Sequence, residues 1–335
     1  MRKRLRKILV TGGAGFIGSA FVRLLARDCP RRGLSLIVVD KLTYAGDLAR
    51  LKEVKGRYKF CKADICNKAE IESVFKRERP DSVVNFAAES HVDRSIFKPQ
   101  EFLVTNVIGT QVLLNVAKKF NLKLFCHIST DEIYGDIKRG QFFEDSPLSP
   151  SSPYSASKAA ADLLLKSYIR TYAMPVIIIR PSNNYGPWQY PEKLIPLAIS
   201  KILKREKVPI YAQGKNVREW LYVEDCARGI IAVLEKGKAG SVYNLGSNEE
   251  KQNIEVVRLL LKEMGESPSL IEFVKDRAGH DLRYRLNYEK IRDEIGWEPK
   301  VKFKEGLSCT VKWYLAHKGW MFSKWRNISW LYKNK

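Results

Sequence analysis

The sequence predicts an α/β protein: a doubly wound parallel sheet with a smaller lobe that is discontinuous along the chain. Three observations carry this. Apolar runs alternate with amphipathic stretches through the first half, as parallel strands crossed by helices require. A glycine-rich turn, Gly12-Gly13-Ala14-Gly15-Phe16-Ile17-Gly18, follows the first apolar run and opens the first amphipathic stretch. After Tyr185 the alternation gives way to short strands, loops and isolated helices.

Strands are expected at 7–10, 36–40, 58–62, 82–86, 122–129 and 176–180, each a short apolar run. Helices are expected at 16–27, 68–76, 100–120 and 153–172. The last is the best signed, because Ser152 is a capping residue and Pro153 suits a first helical turn. Gly186-Pro187-Trp188 starts a loop, 253–264 reads as a helix and 289–295 as a shorter one. A helix at 221–234 and a strand at 242–245 return to the sheet. The expected division is therefore 1–180 with 221–245, then a lobe from 181–220 and 246–315, then a basic aromatic tail at 316–335. No internal repeat or low-complexity segment interrupts it.

The chain has 335 residues, 45% hydrophobic and 29% charged, an ordinary globular composition. Its six cysteines show no metal-finger spacing, so a reducing cytoplasm and no metal are expected. The net charge of +22 admits nucleic acid or an acidic membrane, or else a basic proteome and a doubly anionic ligand. Lys and Arg are scattered and form no stripe, so nucleic acid is not expected. The basic start, Met1 to Lys7, precedes only Ile8-Leu9-Val10, and no apolar run reaches membrane-spanning length.

The glycine turn lies between strand and helix, the context that makes such a motif specific. Gly12 allows the tight turn, Gly15 lets a pyrophosphate approach, and Gly18 lets helix and strand pack closely. The helix N-terminus, with Phe16 and Ile17, offers free N–H groups to the anion. Asp40, ending the second strand, suits the two hydroxyls of an adenine ribose and repels a 2′-phosphate, which favours NAD over NADP; Lys41 weakens that preference. Asp64 and Ile65 suit the adenine, and Ala87 and Ala88 leave room for the nicotinamide ribose. Thr43, Glu89, Thr105 and Asn184 complete the expected cofactor wall. The unit is Rossmann-type.

Tyr154 and Lys158 lie four apart, on one face of the helix at 153–172. The ammonium is expected to lower the tyrosine pKa and to reach ribose hydroxyls, so that Tyr154 takes a hydroxyl proton as hydride leaves the same carbon. Thr130 precedes Asp131 and Glu132. Neighbouring side chains on a strand point to opposite faces, so both acids serve one substrate only if the strand has ended. The alternative is two solvated acids at a strand end.

The chain resembles the extended short-chain dehydrogenases/reductases and, within them, the dTDP-glucose 4,6-dehydratase family, over about residues 7–310. The resemblance rests on Ala87-Ala88-Glu89-Ser90-His91-Val92-Asp93-Arg94-Ser95, Ser129-Thr130-Asp131-Glu132-Ile133-Tyr134-Gly135 and Tyr154-Ser155-Ala156-Ser157-Lys158. It extends to Ser182-Asn183-Asn184-Tyr185-Gly186-Pro187, Pro191-Glu192-Lys193-Leu194-Ile195-Pro196, Arg218-Glu219-Trp220-Leu221-Tyr222-Val223-Glu224-Asp225 and Asp276-Arg277-Ala278-Gly279-His280-Asp281. Ala278 stands where the family usually has proline.

The resemblance implies a dTDP-glucose substrate and bound NAD that is reduced and reoxidised within one turnover. It implies Tyr154 as the base for C4 oxidation, Glu132 as the base at C5, and Asp131 as the acid for the departing C6 hydroxyl. Thr130 and Lys158 assist. Ser90, Thr130, Asn183, Lys193, Leu194, Pro209, Ile210, Tyr211, Arg218, Asn253, Asp276, Arg277, Gly279 and His280 would hold the nucleotide sugar. His91 is expected to be structural or a substrate neighbour. In this superfamily the helices at 100–120 and 153–172 pair across a two-fold, so a homodimer is expected through residues such as Leu163 and Tyr168. A UDP-sugar 4,6-dehydratase or 4-epimerase, and a non-catalytic NAD-binding regulator, are the competing readings; the intact quartet Tyr154, Lys158, Asp131 and Glu132 argues against the regulator. Trp313, Trp320, Trp325 and Trp330, interleaved with Lys318, Lys324, Arg326, Lys333 and Lys335, would suit a weak membrane-surface contact or packing on the second lobe or a partner subunit.

Overall fold

The computed structural model describes residues 5–325; Arg326, Trp330, Lys333 and Lys335 of the basic tail lie outside them. The first half supplies β1 (Lys7–Thr11), β2 (Ser35–Asp40), β3 (Lys59–Lys62), β4 (Ser82–Asn85), β5 (Leu124–Ile128) and β6 (Val176–Pro181). With Val242–Leu245 they form a seven-stranded sheet ordered Val242–Leu245, β6, β5, β4, β1, β2, β3. Every pairing in it is parallel. The strand order turns back between β1 and β4, the place where such sheets open a crevice beyond the strand ends.

Apart from the edge strand β3, whose Lys59 and Lys62 are exposed, the strands of this sheet are largely buried on both faces because helices cover both. Ile8 and Val10 face α1 (Phe16–Arg32), whereas Leu9 joins Leu113 on the opposite side. That opposite side is covered by α2 (Lys68–Glu78) and, after the short α3 (Val92–Phe97) and α4 (Pro99–Phe102), by α5 (Gly109–Lys119) and α6 (Pro153–Tyr172). Ser152 and Ser155 form a reciprocal capping box at the start of α6.

The second half supplies β7 (Asn183–Tyr185), α7 (Leu194–Leu203), β8 (Val208–Tyr211), β9 (Val217–Tyr222), α8 (Val223–Lys236) and β10 (Val242–Leu245). It continues with β11 (Glu250–Gln252), α9 (Asn253–Glu263), β12 (Ile271–Val274), α10 (Glu289–Ile295), α11 (Phe303–Ala316) and α12 (Lys318–Ser323). Residues of α8 and α10 pack into the cluster of α1. A separate core gathers α7, α9 and α11 around Tyr185, Trp220 and Tyr222.

Several boundaries differ from expectation. The helix expected at 100–120 is α4, a π-helical stretch Leu103–Ile108, and α5. The wider turn brings Asn106 inward, where its side chain bonds the Glu89 N–H at 2.9 Å, the Glu89 carbonyl at 3.0 Å and Ser157 Oγ at 2.8 Å. The helix expected from 221 begins at Val223, because 217–222 is a strand, paired with β11 over 217–219 and with β7 over 220–222. The strand expected to reach 129 stops at Ile128. α7 has no polar stripe along Leu194–Leu203, since it is buried nearly all round, and so gives no helical period.

Candidate active site

The chain leaves β1 at Gly12, where φ is +66°, and a Cβ there would lie 2.5 Å from the Ala87 amide nitrogen. At Gly18 a Cβ would run into the Gly12 carbonyl. Turn, helix and the end of β4 therefore meet backbone to backbone, with the first N–H groups of α1 facing the crevice. Asp40 is tied to the same turn: its Oδ2 accepts from the Ala14 N–H at 3.0 Å and its Oδ1 from the Leu42 N–H at 2.8 Å. Burial raises its pKa despite those bonds.

Around this turn Asp40, Lys41, Thr43, Asp64, Ile65, Ala87, Ala88, Glu89 and Thr105 line one cleft with Gly12 and Gly15. Lys41 Nζ pairs with Asp64 Oδ2 at 2.6 Å, which neutralises part of the Asp64 carboxylate at that end of the cleft. Gly12, Gly15 and Ala88 also border the next cavity, formed with Phe16, Ile17, Gly18, Ser90, Thr130, Asp131, Glu132, Tyr154, Lys158, Asn183 and Asn184. Glu132, Asn183, Asn184 and Lys193 in turn border a third, lined by Leu194, Pro209, Ile210, Tyr211, Arg218, Asn253, Arg277 and His280. The three spaces adjoin along the C-terminal ends of the strands.

Because β5 ends at Ile128, Asp131 and Glu132 stand on a single 3-10 turn, Asp131–Tyr134, capped by Thr130 Oγ1. That turn lets both acids border one cavity. Asp131 is buried; its Oδ1 accepts from Thr130 Oγ1 at 3.2 Å and its Oδ2 has no hydrogen-bond partner among the described residues. Burial first, then the Glu132 and Glu219 charges, hold its pKa well above the carboxylate range. Glu132 is raised too, by burial, against the opposing pull of Arg277, Lys193 and Arg218.

The Tyr154–Lys158 pair departs from expectation in one respect. Both residues line the cavity, but Lys158 Nζ donates to the Ile128 carbonyl at 2.6 Å and sits 3.2 Å from His127 Nε2. The phenol pKa is raised, by burial and then by the Glu132 charge, rather than lowered. Burial brings the Lys158 ammonium down to about 8, with Asp162 opposing. In this geometry the lysine belongs to the strand and the tyrosine to the acids.

The side of the cleft beyond Glu132 is cross-tied. Asp93, at the start of α3, receives Tyr211 Oη at 2.5 Å and Arg277 Nη1 at 3.2 Å. Arg218 is buried and its guanidinium donates to the Val217 and Asp281 carbonyls at 2.8 and 3.0 Å. Lys193 Nζ holds the Ser90 carbonyl at 2.8 Å. Asp276 and Gly279 stand behind this wall. Asp276 bonds the Arg277 N–H and meets His280 Nδ1 at 2.7 Å, and Gly279, with φ +61°, lies against Ser151. The Asp281 carboxylate joins Ser151 Oγ to Tyr284 Oη, hooking the loop to the start of α6. His91 caps α3 through its Nδ1, and burial lowers it to about 4.

Asp93, Tyr284, Asp281, Ser151 and Asn106 were not singled out as site residues. Asp93 and Asp281 carried a signal, their places in the 87–95 and 276–281 motifs. Among the described residues no group of His, Cys, Asp and Glu could hold a metal, and the described cysteines are free thiols. No helix among them is long and apolar enough to cross a membrane.

Comparison with known proteins agrees with this geometry. The family model described as GDP-mannose 4,6 dehydratase matches residues 9–310. A dTDP-glucose 4,6-dehydratase of Neisseria meningitidis serogroup B is 48% identical, across 97% of this chain and 96% of its own length. One from an Actinoplanes species is 47% identical, across 94% and 99%. The crystal structure of DesIV, a dTDP-glucose 4,6-dehydratase from Streptomyces venezuelae solved with NAD bound, superposes with a TM-score of 0.92 at 46% identity, covering 95% of this chain and 99% of that one. In sequence and in fold alike, the chain belongs to the nucleotide-sugar 4,6-dehydratase family, among the dTDP-glucose 4,6-dehydratases.

Proposed function

We propose that the chain dehydrates dTDP-glucose to dTDP-4-keto-6-deoxyglucose, with NAD as its resident cofactor. The observation that carries this is the 3-10 turn of Asp131 and Glu132, which opens into the cavity of Tyr154 and also, through Glu132, into the cleft of Arg218 and Arg277. The cradle fits a dinucleotide: side chains are excluded at Gly12 and Gly18, and Asp40 stands where a ribose diol is met. When bound, NAD supplies a reversible hydride acceptor for the sugar.

Tyr154 is the base for the C4 hydroxyl. Its raised pKa requires a cation to turn toward it on loading, and Lys158 shares its cavity. A ketone at C4 acidifies C5–H, and Glu132 removes that proton. Asp131, kept neutral by burial, delivers a proton to the departing C6 oxygen. Thr130 fixes Asp131. Lys193, Arg218 and Arg277 supply the positive charge that a nucleoside diphosphate needs, and Asn183 and Asn253 supply amides. Residues 1–180 with 221–245 form the cofactor unit in this reading, and 181–220 with 246–315 the sugar-nucleotide lobe.

Phe97, Leu103, Ile108 and Leu163 are exposed along α3 to α6 and supply the face of a homodimer. Tyr168, expected on that face, is buried and bonds Asn115 at 2.7 Å. The cytoplasm is the compartment that suits the free thiols. Incubation with dTDP- and UDP-sugars, read by mass, tests the function. Loss of one water from dTDP-glucose is expected, and an unchanged mass with interconverted sugars would make the chain an epimerase.

A further inference from the structure

Arg50 is one of the largest fully buried side chains, at 1% exposure. Its hydrogen bonds go to carbonyl oxygens: Nη1 to Ala14 at 2.9 Å and Ala45 at 2.5 Å, Nε to Trp188 at 3.1 Å. Nη2 is buried with no hydrogen-bond partner among the described residues. The side chain forms part of the cavity wall with Gly12, Gly15, Phe16 and Ile17. A buried cation whose hydrogen bonds all go to neutral carbonyls is costly; the Asp47 and Asp40 charges offset that burial only in part, and an anion at Nη2 would complete it. Burial brings its pKa down to about 10, which leaves it charged at neutral pH.

The surroundings hold the guanidinium in place. The Ala14 carbonyl, inside the glycine turn, also accepts from the Asp47 N–H at 3.0 Å. The nearby Asp47 carboxylate is engaged elsewhere, by Trp320 Nε1 at 2.8 Å and Lys324 Nζ at 2.6 Å. The Trp320 ring lies 5.4 Å from the guanidinium carbon. The described part of the tail is thus a cover over Arg50, packed through Trp188, Trp313 and Trp320.

We infer that Arg50 is a further cofactor-binding residue, the positive charge that receives the diphosphate of the dinucleotide beside the glycine turn. The inference rests on reading the cleft as a dinucleotide site. It explains how a cradle otherwise built of backbone N–H groups could hold its cofactor tightly through turnover. A charge-assisted contact to a phosphate of this kind is worth about ten- to a hundredfold in affinity.

Arg50→Gln keeps amide donors for the carbonyls and removes the charge. Calorimetry with NAD, ADP and adenosine, on protein stripped of nucleotide and checked for native circular dichroism, reads the effect. NAD and ADP are expected to weaken about tenfold or more while adenosine, lacking the diphosphate, is unchanged. Unchanged NAD and ADP affinity, or equal losses for all three ligands, would overturn the inference. If Arg50→Gln does not fold, Arg50→Lys decides: ADP within about fivefold of the unaltered protein supports a charge role, and a loss above about tenfold overturns it. An unaltered protein that binds none of the three would instead overturn the dinucleotide reading itself.

Discussion

The two walls of the cleft are built from different materials. The proposed cofactor wall is mostly backbone: Gly12 and Gly18 leave no room for a Cβ, and the helix of Phe16–Arg32 presents its N–H groups. The proposed sugar-nucleotide wall is side chains tied to side chains, with Asp93 joining Tyr211 to Arg277 and Asp281 joining Ser151 to Tyr284. A backbone wall is shaped by sterics and fails abruptly. A wall of ion pairs and hydroxyls is shaped by charge and fails by degrees.

Substitutions on either side sharpen that contrast. Gly12→Ala should have the largest effect, because positive φ costs about 1–3 kcal/mol and the added Cβ meets Ala87 as well. The variant is expected to purify without dinucleotide, read by absorbance of the denatured supernatant. Full retention would mean that the turn is not the cradle. Asp93→Asn should be milder, raising KM for the nucleotide sugar about ten- to a hundredfold through Arg277 and Tyr211 while cofactor content is unchanged. A fall in kcat with KM intact would place Asp93 in the chemistry instead. Smallest is a displacement in pH. Glu132 must be ionised to act as base, and burial raises its pKa, so the rate should fall on acidification at a pH above the ordinary glutamate range. Asp131 must be protonated to act as acid, so the rate should fall again as pH rises through its own raised value. The two limbs describe the coupled pair. A flat profile would contradict both roles.

The difference in material also explains what was legible beforehand. Gly12, Gly15, Gly18 and Asp40 lie close together along the chain, so their spacing between a strand and a helix marked them as candidates. Tyr154 and Lys158 were legible as a helical i, i+4 pair, but not the capture of Lys158 by the Ile128 carbonyl, which depends on how Pro153–Tyr172 lies on the sheet. Whether Asp131 and Glu132 could share a cavity turned on one strand end, and the 3-10 turn after Ile128 decided it. Arg50 bonds Trp188, and Asp93 bonds Arg277, across long stretches of chain, so no local pattern marked Arg50, and the 87–95 motif marked Asp93 without its partner. The π-helical stretch Leu103–Ile108 has no proline to announce it and exists because Asn106 is drawn to Glu89 and Ser157.

In the proposed mechanism Glu132 and Tyr154 divide the proton transfers between C5 and C4. Glu132→Gln in deuterated water, with borodeuteride quenching and mass analysis of the sugar, tests it most directly. The 4-ketone is expected still to be trapped, since Tyr154 is intact, while deuterium entry at C5 and loss of water slow about a hundredfold or more. Deuterium entering C5 at the unaltered rate in that variant would contradict it.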